Sequence, residues 1–197
     1  MSTLDAAPHV QAEDRATWRA WLEANHAMAS GAWLVTWRAG RGHAVLDYEA
    51  AVEEAICFGW VDSRPGRVDA DRAKLYFAPR TPRSAWSASN KARVERLSAA
   101  GLMAPAGLAA VERANENGMW GHLDAVERLE VQPDLAEALD AHPPAASIFA
   151  GFPRSTRRAI LEWIAAARRP ATRAGRIQET ATRAARNERA NEWRPKS

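Results

Sequence analysis

The sequence predicts an α+β protein. A small antiparallel sheet, built from a hairpin plus one N-terminal strand, packs with helices and is followed by an all-helical C-terminal part. Three observations predict it. Short stretches rich in Trp, Val, Leu, Tyr or Phe at 31–38, 60–68 and 74–78 have the length and composition of strands. Apolar residues at helical spacing flank them on both sides. Beyond Gly118 only helical patterns recur, punctuated by Pro133, Pro143-Pro144 and Pro170.

Taken in order, residues 1–10 read as a flexible tail, 11–118 as the α+β core domain and 119–132 as a connector. Residues 133–190 read as a helical region and 191–197 as a second tail. Trp18, Trp21, Leu22 and Met28 recur near helical spacing between Gln11 and Met28, and Ser30-Gly31 ends that helix. The segment GAWLVTWR (31–38) is the N-terminal strand. Asp47 is an N-cap for a helix at 48–58, with Ala51, Val52, Ala55 and Ile56 as its apolar face and Gly59 as its stop.

The hairpin strands 60–68 and 74–78 are joined by a polar turn containing Asp69, Asp71 and Arg72. Pro79 and Pro82 hold the next loop extended. A helix then runs from Ser87 to Ala100, with Val94 and Leu97 inward and Gly101 as its stop. Pro105 opens a helix to about Asn117. Further helices are expected from Pro133 to Leu139, in a segment ending near Phe152, and at 154–168 with Ile160, Leu161, Trp163 and Ile164 inward. The last, from Pro170 to about Arg189, has a thin apolar stripe and reads as a surface helix.

Composition narrows the function classes. With 47% hydrophobic and 26% charged residues the chain has the makings of a globular core. Cys57 is the single cysteine, so neither an intramolecular disulfide nor a cysteine metal cluster is open to it. Its place at the end of an apolar helix, where the helix dipole opposes a thiolate, marks it as packing. His9, His26, His43, His122 and His142 are scattered, with no i, i+4 pair, so no metal and no cofactor are expected. Gly40 and Gly42 bracket Arg41 without completing a phosphate-binding loop. No basic region followed by an apolar run opens the chain, and no stretch approaches the roughly 18 apolar residues of a membrane span. The expected location is the cytoplasm.

The net charge of +3 hides an asymmetry: residues 153–197 carry +8 and residues 1–152 carry −5. The C-terminal Arg excess is expected to meet the acidic first half of the same protein, with nucleic acid or an anionic membrane surface as alternatives.

Chemistry concentrates between Cys57 and Asn90. Arg80 and Arg83 offer planar donors suited to a carboxylate or phosphate. Ser84, Ser87 and Asn90 offer neutral hydrogen-bonding groups at a helix start, Trp60 and Trp86 offer apolar walls, and Asp62 shares a strand face with Trp60. These eight residues are the expected ligand site. The alternative is internal closure, with Asp62 pairing Arg80, Ser87 capping the helix and Trp86 in the core.

Four segments carry a family resemblance: AVEEAICFGWVDS (51–63), YFAPRTPRSAWSASNKARVERL (76–97), GLMAPAGLAAV (101–111) and RRAILEWIAAARRPATRAGRI (157–177). Through them the chain resembles the YdeI/OmpD-associated, or bacteriocin-protection, proteins. The resemblance implies a role in resistance to cationic antimicrobial peptides, an outer-membrane porin partner and a periplasmic setting; it brings no reaction, cofactor or catalytic residue. The expectation is therefore a non-enzymatic stress and peptide-protection protein that binds a small-molecule or peptide ligand at the 60–90 loop. A nucleic-acid-binding protein using the Arg-rich C-terminal helices is the alternative, and an enzyme whose chemistry the sequence does not spell out is a second.

Overall fold

A computed structural model describes residues 6–192. These divide into two units, one up to Gly121 and one from His122. The residues expected as tails at 1–5 and 193–197 lie outside the described part.

The first unit holds four strands and four helices. The strands are β1 (His9–Gln11), β2 (Ala32–Trp37), β3 (Trp60–Arg67) and β4 (Arg72–Pro79), in the spatial order β1-β2-β4-β3. The hairpin and β2 pair antiparallel as expected. β1 adds a parallel edge that turns the sheet mixed, and it occupies part of the expected N-terminal tail. Three residues carry too little pattern to read as a strand; the pairing of Val10 with Leu34 makes them one. Pro65 sits in β3, an edge strand, where its missing N–H costs no ladder bond.

The helices are α1 (Arg15–Asn25), α2 (Tyr48–Cys57), α3 (Ala88–Ala99) and α4 (Pro105–Glu116). Local signals set their ends. Asp47 Oδ1 accepts from the Ala50 N–H at 2.8 Å, and Ser87 caps α3 through the Asn90 N–H at 3.3 Å. Gly59, at φ +73°, turns the chain out of α2 into β3. α2 differs from the expected one-faced helix: every residue from Ala50 to Cys57 is buried, because α1, α3, α4 and β3 all pack on it. Around it the core gathers Trp18, Leu22, Leu34, Ile56, Trp60, Phe77 and Trp86.

The second unit is helical, with α5 (Asp124–Glu127), α6 (Pro133–Asp140), α7 (Ala145–Gly151), α8 (Arg154–Ala165) and α9 (Pro170–Ala184). α5 falls in the expected connector. α9 packs one face on α6, α7 and α8, burying Ile177, Thr180, Ala181 and Ala184, and leaves the other face exposed, as a surface helix does. Its small residues made the stripe look thin, yet they let neighbouring helices approach closely. Trp163, expected inward, is only half-buried, with the Arg176 guanidinium 4.9 Å from its ring and donating to its carbonyl. Among the described residues no helix is long and apolar enough to cross a membrane.

Candidate functional site

Strand register decides where Asp62 points. Asp62 pairs with Phe77 in β4, and paired residues project to the same face of a sheet. Phe77 is a core residue, so Asp62 faces α2 as well. An irregularity between Asp62 and Arg64 shifts the register, and Pro65 then pairs with Leu75 on that same side. The result is a cleft of about 380 Å³ beside the first turn of α2. Leu34, Leu46, Ala51 and Leu75 line it with apolar surface; Thr36, Tyr48, Asp62 and Ser63 supply its polar groups.

The Tyr48 hydroxyl donates to Asp62 Oδ2 at 3.0 Å. Burial, and after it this contact with Asp62, pushes the Tyr48 phenol above its ordinary value, which keeps it a donor. Lys74 also borders the cleft, but its ammonium lies 3.0 Å from His9 Nε2 and 4.2 Å from the Trp33 ring centroid. Trp33 alternates with Leu34 and so belongs to the opposite face of the sheet. The carboxylate of Asp62 is therefore the formal charge that the cleft presents.

The other expected site residues do not join Asp62 in one concave wall. Trp60 and Trp86 are each 1% exposed, so they are core and offer no surface to a ligand. Ser87 caps α3, and the Ser84 hydroxyl closes a turn by accepting from the Thr81 N–H at 3.0 Å. Arg83 is exposed at that turn. Asn90 Oδ1 accepts from Arg93 Nη1 at 2.8 Å. Arg80 is buried, stacked 3.6 Å from the Trp86 ring centroid, and Nη1 donates to the Ala85 carbonyl at 3.2 Å. The Asp62–Arg80 ion pair of the internal-closure alternative is not formed, since Asp62 engages Tyr48 and the other two Arg80 nitrogens lack a hydrogen-bond partner. Burial pulls the Arg80 guanidinium down to about 10, with Asp62 acting in the opposite sense.

Tyr48 and a second polar system on α2 lie outside the site expected from sequence. Glu54 accepts from Arg15 Nε and Arg19 Nη1, each at 2.9 Å. Glu53 meets Arg15 at 2.8 Å and also Arg96, while Glu49 takes Arg93 at 2.6 Å. Glu53 and Glu54 are 7% and 4% exposed, and Arg15 and Arg19 of α1 with Arg96 of α3 pair with their carboxylates. The adjacent acids in an otherwise apolar helix, AVEEAIC, were the signal. In the second unit, part of the Arg excess is paired with acids of the same unit: Arg158 with Glu127 and Glu162, Arg173 with Asp134, and Arg183 with Glu179.

With this geometry in place, family comparisons divide the chain much as the fold does. Residues 10–110, more than half of the 197, match a family described as Domain of unknown function (DUF8412). The chain belongs to the DUF8412 family. Residues 128–187 match a second family, described as Bacteriocin-protection, YdeI or OmpD-Associated, which bears out the YdeI/OmpD-associated resemblance. The DUF8412 part spans the sheet, the cleft, Asp62 and Arg80; the bacteriocin-protection description attaches to α6–α9. No curated protein and no solved structure matches the chain.

Proposed function

We propose that this protein serves bacteriocin protection by binding and not by chemistry, with the Asp62 cleft receiving a peptide. The observation that carries the reading is the cleft itself: an apolar lining of leucines beside one carboxylate whose position is fixed by Tyr48. Such a lining suits an apolar side chain, and the carboxylate suits a cationic group next to it. A peptide in which Lys and Leu alternate presents that combination. The pairing of Arg158, Arg173 and Arg183 with acids of their own unit leaves fewer cations for the nucleic-acid alternative. Isothermal titration of the full chain with a short Lys–Leu peptide tests the reading. Asp62→Asn is expected to weaken binding at least tenfold, about 1.4 kcal/mol. Equal affinity for the two proteins, or no binding by either, contradicts it.

A further inference from the structure

Among the described residues, Arg80 is the cation most at odds with its surroundings. Its side chain is 6% exposed, and neither Nε nor Nη2 has a hydrogen-bond partner. A buried polar group of this kind is rare in folded proteins and asks for a physical reason. The carboxylate whose charge reaches it, Asp62, is engaged by Tyr48 instead.

The pattern of use within the guanidinium is informative. Nη1 is occupied by the Ala85 carbonyl, and the flat face lies against Trp86. The two unused nitrogens, Nε and Nη2, share one edge of the group. That edge takes both oxygens of a carboxylate, or two oxygens of a phosphate, in parallel hydrogen bonds. Stacking on a buried indole and an anchor at Nη1 fix the orientation of the edge before any ligand arrives. The next residues in the chain, Thr81–Arg83, are exposed. They form a turn closed locally by Ser84 and tied outward by Asn117 Nδ2, which donates to the Pro82 carbonyl at 2.7 Å. Arg83 places a second cation on that turn.

We propose that the Nε–Nη2 edge of Arg80 is a socket for a small carboxylate or phosphate anion, entered by displacement of the Thr81–Ser84 turn. The socket stands independently of the peptide cleft, whose own charge is negative.

Nuclear magnetic resonance of the ¹⁵N-labelled full chain tests it. The Arg80 Nε–H signal, assigned by its loss in Arg80→Lys, is followed during titration with sodium acetate and, separately, sodium phosphate. Sodium chloride at equal ionic strength is the reference. A saturable shift of that signal with acetate, phosphate or both, beyond the chloride response, is the expected result. The anion that saturates at the lower concentration identifies the ligand class. In Arg80→Met the saturable response of the Trp86 indole N–H is expected to vanish. No saturable shift with either anion overturns the proposal, as does an indole response that survives in a folded Arg80→Met. Should Arg80→Met fail to fold, the wild-type titration decides alone.

Discussion

Tyr48 and Asp62 join the first turn of α2 to the edge strand β3 through one hydrogen bond of 3.0 Å at the border of the cleft. Tyr48 is largely exposed, so the bond serves position more than stability. Tyr48→Phe is expected to lower stability by no more than about 1 kcal/mol, measured by urea unfolding. Binding of a Lys–Leu peptide should change far less than in Asp62→Asn, because the carboxylate itself remains. A Tyr48→Phe protein that binds as poorly as Asp62→Asn would assign the recognition to the phenol.

The paired arginines on Glu54 predict non-additive stability. Either Arg15 or Arg19 alone still neutralises the carboxylate, and Glu53 keeps Arg96 when Arg15 is lost. Each single change to Met is expected to cost about 1–2 kcal/mol. The double change leaves Glu54 buried without a cation and should cost about 3–5 kcal/mol in all. A double-mutant cycle in which the two costs simply add would show that the carboxylate does not depend on the pair.

Gly107 lies where α4 crosses the end of α2. A Cβ there would stand 2.7 Å from the Cys57 carbonyl carbon and nearer still to its oxygen, both backbone atoms that cannot swing aside. Gly107→Ala, normally favourable in a helix, should instead destabilise by about 1–3 kcal/mol. A rise in melting temperature would mean that α4 does not approach α2 so closely.

Cys57 is wholly buried, and burial pushes its thiol above the ordinary value of 9.0. The unfolded chain therefore ionises first. Stability linked to this group is intact below about 9 and falls as pH climbs from there through the raised folded-state value. Cys57→Ala should flatten that alkaline decline in urea unfolding, and a thiol reagent at neutral pH should label native protein far more slowly than unfolded protein. Rapid native labelling would show an accessible thiolate.

Sequence made some of this legible and hid the rest for physical reasons. Caps and stops are local, so Asp47, Ser87, Gly59 and Gly101 could be placed from their neighbours alone. β1 is defined by pairing with residues more than twenty positions away, and no local pattern announces that. The same polar loop chemistry fits a ligand wall and a core aromatic. Trp60 and Trp86 were therefore expected to face a ligand, whereas tertiary packing encloses them. Asp62 is expected from sequence to line a site and borders the cleft, while its partner Tyr48 is not foreseen. The register of β3 against β4 turns it toward Tyr48, and register is invisible in a single strand.

Mapping by ¹H–¹⁵N spectra of the full chain with a Lys–Leu peptide tests the cleft as the peptide site most directly. Concentration-dependent shifts are expected to cluster at Leu34, Thr36, Leu46, Tyr48, Asp62 and Ser63, and to disappear in Asp62→Asn. Shifts confined to the Arg-bearing helices α8 and α9, or no shifts at all, would contradict it.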